Sequence, residues 1–502
     1  QKQPFDVVGI GDMGGDVFGN GMILSKHIRL IGAFNHLHIF CDPTPDTAKS
    51  YQERVRLFKA VKGWDHYNEK HLSKGGRIYS RSEKSLTLTP EIQERFDINK
   101  TKVTPVELIS AMLKARTDLL WFGGIGTYIK STAETHLDVG DKSNDRLRID
   151  ASEVRARVIG EGANLAVTQL AGVEFSKKGG KVNADFIDNS GGVDSSDHEV
   201  NIKILFSDVV RDPKHKMTLE KRNKILESMT NTVADLVLQH NYNQSQGISL
   251  VQVSAADRLP EHADLIVDLE KRVQLNRKIE HLPTRTNIAE RLKNGQGLTR
   301  PEIATLISYS KIELTRDILK SDVPDQGYIE EQWLVTYFPE VLRKDYHKEI
   351  LRHRLKREII STHIASSIVN RMGPTFVDKL ADKAGVTRAE VVSAYLIVIE
   401  ALDAISLWLG IQELDNKVLA HLQLKAMQAV SDTIERLTLL VIKKYSAEDN
   451  QQELVKKIRK VTKSLHDDGK TVLTPKQFSD VTSWRDEYEK QGFSESLSET
   501  LS

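Results

Sequence analysis

Gly9, Gly11 and Gly14, in VVGIGDMGGDVFG, form the pattern G-x-G-x-x-G directly behind the apolar run FDVVGI. In that setting the first glycine makes a tight turn and the second leaves room for a pyrophosphate. The third lets the following helix pack closely, with its N–H groups facing the phosphates. The expected chemistry is dinucleotide binding, with Asp12 and Met13 inside the same turn. A glycine-rich turn without a ligand is the alternative, since Gly15, Gly19 and Gly21 weaken the helix that should follow. Asp42 closes the run HLHIFC, where a carboxylate accepts from the adenosine ribose and repels a 2′-phosphate, favouring NAD over NADP. It stands 28 residues after Gly14 where about 20 is usual, a difference that an inserted turn at 19–25 would absorb. An ordinary strand-end cap is the alternative for Asp42.

Three further loops follow strand-like runs: FGGIGTY at 122–128, GEGANLAVTQ at 160–169 and DNSGGVDSSDHE at 188–199. Loops at the carboxyl ends of parallel strands converge on a ligand crevice, which would bring Gly123, Gly124 and Gly126 near the dinucleotide. Asn164 and Asn189 offer both donor and acceptor groups, matching a carboxamide or ribose; turn capping is the alternative for each. Ser196 would hydrogen-bond a substrate carboxylate or cap a helix. His36 and His38 share one strand face, and His198 lies near Asp194 and Asp197, but neither set has metal-ligand spacing, so no metal is assigned. No Ser-His-Asp or Cys-His arrangement suggests covalent catalysis.

These loops need a scaffold. Residues 1–200 hold 21 of the 30 glycines, and there short apolar runs alternate with helix-like segments. The runs are FDVVGI, HLHIFC, TDLLWF, RARVIG and ADFIDN. One helix is marked by Thr104 as N-cap and Pro105 at its first position. This βα pattern implies a mainly parallel sheet, with 62–103 as an insertion. From about residue 197, apolar spacing of three and four predicts helices, punctuated by Pro301, Pro324, Pro339, Pro374 and Pro475. No repeat of fixed period is evident. The expected fold is an α/β Rossmann-like nucleotide-binding domain over 1–210, followed by a large all-α C-terminal domain over 211–502.

The charge balance, 71 Lys+Arg against 70 Asp+Glu, removes the main electrostatic reason to expect nucleic acid. The basic cluster Arg343, Lys344, Lys348, Arg352, Arg354, Lys356 and Arg357 is interrupted by Glu349 and Glu358 and reads as a solvated or intersubunit helix face. No stretch has the length and apolarity of a membrane span. The single cysteine, Cys41, suits a reducing compartment, and the chain is read as cytoplasmic. It begins without methionine, close to the nucleotide-binding turn, and is expected to be a piece of something larger.

GIGDMGGDVFGNGM, DLLWFGGIGTY, GEGAN and FIDNSGGVDSSDHEVNIKIL, with RPEIATLISYSKIELTRDIL and EVLRKDYHKEILRHRLKREIIST, resemble the C-terminal portion of the large bacterial NAD-specific glutamate dehydrogenases over residues 5 to about 460. The resemblance implies oxidative deamination of L-glutamate to 2-oxoglutarate and ammonium, with hydride transfer to NAD. It places Asn164 and Asn189 around the nicotinamide and Ser196 on the substrate carboxylate. The loop GGIGT at 123–127 departs from the family's P-[AC]-[AC], and the first helix is richer in glycine. The family's catalytic lysine and aspartate are expected in an absent N-terminal catalytic region, leaving the isolated chain inactive. Lys74, in LSKGGR, is read mainly as a surface or phosphate-near residue. A homo-oligomer is the expected assembly. The competing readings are an NAD-binding regulatory or assembly module with a helical interaction domain, and a dehydrogenase for another amino acid.

Overall fold

The computed structural model describes residues 3–211, 217–445, 450–467, 471 and 473–501. Two compact units emerge. The first comprises Gln1–Asp194 with Lys278–Leu282 and Leu298–Thr305; the second comprises Ser195–Arg277, Pro283–Gly297 and Leu306–Ser502. The order expected from the sequence, an α/β Rossmann-like region followed by a predominantly helical one, is the order observed.

Among the described residues, ten strands occur along the first unit: β1 (Phe5–Ile10), β2 (Ile28–Phe34), β3 (His38–Cys41), β4 (Arg77–Ser80), β5 (Leu86–Thr87), β6 (Lys102–Val103), β7 (Leu119–Phe122), β8 (Ile129–Lys130), β9 (Ile149–Asp150) and β10 (Val158–Glu161). Six build the main sheet in the order β10-β7-β1-β2-β3-β4. Strands β10, β7, β1 and β2 are parallel, whereas β3 runs antiparallel to β2 and β4 antiparallel to β3. Alternation along β1 sends Val8 and Ile10 into one core, with Leu120, Phe122 and Ile159, and Val7 into the other, with Leu30, Ala33 and Phe40. A sheet covered on both faces explains why its inner strands read as nearly continuous apolar runs.

Two strand assignments change. The run IRLIGAF, passed over in the sequence, is the second strand, so HLHIFC becomes the third and reverses direction. ADFIDN is not a strand: Asp185–Asp188 forms a short helix, with the Asp188 N–H donating to the Ala184 carbonyl at 3.1 Å. Residues 62–103, expected as an insertion, supply the edge strand β4, the β5–β6 pair and Trp64, which stacks on Phe40 in the core. The Thr104–Pro105 start is present, with the Thr104 hydroxyl accepting from Glu107 N–H and the Glu107 carboxylate accepting from Thr104 N–H.

Helix α1 (Asp16–Ile23) joins β1 to β2, and α2 (Thr47–Ala60) follows β3. Arg54 of α2 is buried and donates to the Met22 carbonyl at 3.0 Å, to Ser50 Oγ at 2.6 Å and to the Ile28 carbonyl at 3.4 Å. It thereby satisfies the end of α1 and the start of β2.

In the second unit the helix Arg388–Ala401 is apolar on nearly all sides and buried from Val391 to Ala401 except at Ser393 and Glu400, the pattern of a core helix. Helices Thr230–Val253 and Lys356–Met372 meet at Gly247, where a Cβ would lie 2.7 Å from the Asn370 carbonyl oxygen. Arg388 bridges Glu313 at 2.8 Å and Asp317 at 2.7 Å, and also pairs with Asp378. Among the described residues no single helix is long and apolar enough to cross a membrane.

Burial pushes His262 and His363 down to about 4. The adjacent Arg258 charge lowers His262 further, against an opposing Glu261, while the Trp333 carbonyl partly offsets the burial of His363. Both imidazoles are neutral in the fold, whereas the unfolded chain takes up a proton below about 6.5. The stability they contribute is full above that pH and is lost as pH falls towards 4. Melting midpoints measured across pH 7 to 4 are expected to fall, and His262→Gln, which cannot titrate, should flatten that slope. An equal slope in the variant would contradict the assignment for His262.

Candidate dinucleotide site

The carboxyl ends of β1, β7 and β10 meet at one edge of the sheet. Gly9 lies within β1 rather than in a turn, and the turn begins at Gly11, whose φ of +146° is open to glycine and costly for other residues. Gly11 N–H donates to the Phe34 carbonyl at 2.8 Å and Gly123 N–H to the Ile10 carbonyl at 2.8 Å, tying the turn to the ends of β2 and β7. Phe18 of α1 fills the space between them: a Cβ would lie 2.4 Å from its ring at Gly9, 2.5 Å from its Cβ at Gly11 and 2.7 Å from its Cα at Gly123. Gly124 backs onto Ile10 and Gly11 at 3.3–3.4 Å. Gly9, Gly11, Gly123 and Gly124 are therefore brought together. Gly14 instead faces the backbone of Val61 and Lys62 at 3.1–3.3 Å.

Helix α1 starts after Gly15, with no side chain accepting from its first turn. A helix start lacking such a cap keeps N–H groups available to a phosphate, so these residues fit a dinucleotide. Asp12 braces the turn: one oxygen accepts from Gly14 N–H at 3.0 Å and the other from Asn35 Nδ2 at 2.5 Å. Met13 is fully buried in the core with Val7, Phe18 and Met22. Both shape the turn from behind.

Asp42 lies elsewhere. Because β3 is antiparallel, its end is not at the carboxyl edge of β2; Asp42 N–H donates to the Ile31 carbonyl at 3.0 Å, three residues short of the end of β2. Its carboxylate is buried and accepts from Ser73 N–H at 3.0 Å and from the Ser73 hydroxyl, while burial raises its pKa. The residue after β2 is Asn35, 21 positions beyond Gly14, close to the usual separation of about 20. The spacing rule would have found it had IRLIGAF been read as a strand. Asn35 Oδ1 accepts from Leu37 and His38 N–H at 2.8 and 2.7 Å, so the side chain organises this corner.

The loop after β10 joins this edge through Ala163 N–H, which donates to the Phe122 carbonyl at 2.9 Å. Asn189 Nδ2 donates to Asn164 Oδ1 at 2.5 Å, so these two side chains do meet. Beneath them lies a group missed in the sequence. Buried Glu161 accepts from Val167 N–H at 3.0 Å, Asp185 accepts from Leu165 N–H at 2.9 Å, and Asp188 accepts from Glu161 N–H at 3.1 Å and Asn183 Nδ2 at 2.8 Å. Burial, followed by the Asp185 charge, holds the Glu161 carboxyl well above the usual range. Ser196 is exposed on the helix Ser190–Arg211, which begins immediately after Asn189. Lys74 is exposed and pairs with Glu91 at 2.9 Å. Among the described residues no group of three or more His, Cys, Asp or Glu side chains is placed to hold a metal.

The folded state holds the Glu161 proton more tightly than the unfolded chain does. Its contribution to stability is full at pH below about 4.5 and is lost as pH rises through the folded value. Glu161→Gln is expected to abolish this component in melts from pH 5 to 9, and an unchanged difference between variant and wild type across that range would refute it.

A family model described as bacterial NAD-glutamate dehydrogenase, catalytic domain, matches residues 1–251, and one described as glutamate dehydrogenase, C-terminal, matches 295–502. The chain is 51% identical over 439 residues to the NAD-specific glutamate dehydrogenase of Pseudomonas aeruginosa and 47% identical over 439 residues to that of Halomonas elongata; each alignment covers 87% of this chain and 27% of the relative. It is 46% identical over 412 residues to that of Mycobacterium tuberculosis, covering 81% of this chain and 25% of the relative. The chain thus spans about a quarter of the length of these curated relatives.

The match over residues 1–251 corrects linked expectations: that the chain is only a C-terminal portion, that the catalytic region is a missing partner, and that the isolated chain is inactive. Those expectations rested on placing the family's catalytic lysine and aspartate in an absent N-terminal region, whereas the catalytic-domain match runs through the strands of the main sheet into the helix Thr230–Val253. With the catalytic-domain model matching half of its residues, the chain belongs to the bacterial NAD-glutamate dehydrogenase family.

Proposed function

We propose that this chain binds NAD at the carboxyl edge of its sheet and serves the oxidative deamination of L-glutamate to 2-oxoglutarate and ammonium. The observation that carries this reading is the convergence of the Gly11 turn and the uncapped start of α1 with Gly123, Gly124 and the Asn164–Asn189 pair. The names of the relatives, NAD-specific glutamate dehydrogenases, support the choice of cofactor and substrate. NAD, when bound, supplies the two-electron acceptor for hydride leaving the 2-carbon of glutamate.

In this reading the first-turn N–H groups of α1 and the turn at Gly11 receive the pyrophosphate, an arrangement favoured by the positive end of the helix dipole. Asp12 and Met13 keep that turn in shape through their hydrogen bonds and core packing. Gly123 and Gly124 let β7 close up to the turn. Asn164 and Asn189 hold the carboxamide end of the dinucleotide, fixing the ring relative to the reacting carbon. Ser196 donates its hydroxyl hydrogen to a substrate carboxylate oxygen.

The test is to measure NAD affinity and glutamate-dependent NADH formation with this chain. Asn189→Ala is expected to weaken NAD binding about tenfold, the equivalent of one hydrogen bond. Ser196→Ala should raise KM for glutamate by a similar factor and leave NAD affinity unchanged. Absence of NAD binding in the wild type would overturn the reading, and NAD binding without glutamate-dependent reduction would favour a regulatory or assembly module.

A further inference from the structure

Arg300 opens the helix Arg300–Lys320, outside the stretch matched by the catalytic-domain model and inside the one matched by the C-terminal model. Its first turn nevertheless belongs to the first unit, which takes in Leu298–Thr305. Gln169 Nε2 donates to the Pro301 carbonyl at 3.1 Å and to Thr305 Oγ1 at 3.2 Å, and a Cβ at Gly172 would lie 3.3 Å from the Pro301 ring. The helix start is fixed by Thr299, whose N–H and hydroxyl donate to one Glu302 oxygen at 2.7 and 2.8 Å. The half-buried Arg300 side chain thus has a defined origin, and it reaches Asn183, 117 positions earlier in the chain.

Asn183 Oδ1 accepts from Arg300 Nε at 3.0 Å and from Nη2 at 2.7 Å, while Asn183 Nδ2 donates to Asp188 Oδ1 at 2.8 Å. A guanidinium only donates and an ionised carboxylate only accepts, so the amide between them has one workable orientation. The other Asp188 oxygen accepts from Glu161 N–H at 3.1 Å. Glu161 stands three residues before Asn164, and Asp188 immediately precedes Asn189. One carboxylate therefore ties together the roots of the two segments whose asparagines meet. Burial raises the Asp188 carboxyl; the hydrogen bonds from Asn183 and Glu161 and the Arg300 charge oppose it, and the Asp185 charge adds to it.

We propose that Arg300 is a positioning residue for the Asn164–Asn189 pair, acting through Asn183 and Asp188 to hold the two asparagines where they receive the carboxamide end of the dinucleotide. The inference rests on the dinucleotide site proposed above. The finished site thus draws a residue from the region matched by the C-terminal family model.

The experiment measures the affinities of NAD and of ADP-ribose, which lacks the nicotinamide, for the wild-type chain, Arg300→Met, Asn183→Ala, Asn189→Ala and the Arg300→Met, Asn189→Ala double variant. Methionine keeps much of the length of arginine but neither donates nor carries charge. Arg300→Met and Asn183→Ala are each expected to weaken NAD binding about tenfold and to leave ADP-ribose within about twofold. Because Arg300 acts through the asparagine pair, its loss should cost NAD no more than about twofold once Asn189 is gone, whereas independent roles would multiply. Unchanged NAD affinity in Arg300→Met, equal losses for NAD and ADP-ribose, or losses that multiply in the double variant overturn the role of Arg300 while the site stands. Should Arg300→Met not fold, Asn183→Ala, alone and combined with Asn189→Ala, decides by the same criteria, since it breaks the same chain one link on. A wild-type chain that does not bind NAD, or whose NAD affinity is indifferent to Asn189→Ala, overturns the site itself, and the proposal with it.

Discussion

Phe18 sets the geometry on which the carboxyl edge of the main sheet depends. Its side chain and backbone occupy the volume that a Cβ at Gly9, Gly11 or Gly123 would require. Helix α1 can therefore lie directly against the ends of β1 and β7, bringing its uncapped first turn over the sheet edge. The familiar glycine pattern is used here largely as an allowance for one aromatic residue. Trp64 extends the arrangement, meeting Phe18 edge-on and donating its indole N–H to the Gly11 carbonyl at 3.0 Å. Residues that had looked external to the nucleotide-binding pattern thus close its core from one side.

The architecture was legible where pattern and physics coincide. FDVVGI, TDLLWF and RARVIG carry the apolar runs of inner strands, the Thr104–Glu107 box announces its helix, and the later apolar spacing announces the helical unit. IRLIGAF was harder because Gly32 interrupts its run and it follows a glycine-rich helix. Missing it moved every later strand by one place and put Asp42 at an edge it does not occupy. The direction of β3 is not encoded in HLHIFC itself, since a strand pattern has the same period whichever way the chain runs.

Within the site, Gly11, Gly123, Gly124, Asn164 and Asn189 were visible as residue types suited to phosphates and amides. Glu161, Asp185 and Asp188 were not, because carboxylates in a polar loop look like solvated surface until tertiary structure covers them. They act as fasteners: Glu161, which is buried, and Asp185 and Asp188, which are half-buried, each accept a backbone N–H from a neighbouring segment.

Arg54 carries a consequence for biosynthesis. The end of α1 and the first residue of β2 are satisfied by a guanidinium 32 and 26 positions further along the chain. As the polypeptide leaves the ribosome, the glycine turn and its helix emerge before the residue that completes them. The corner formed by the glycine turn, α1 and the start of β2 therefore cannot reach its finished form as an early local unit and must await the arrival of α2.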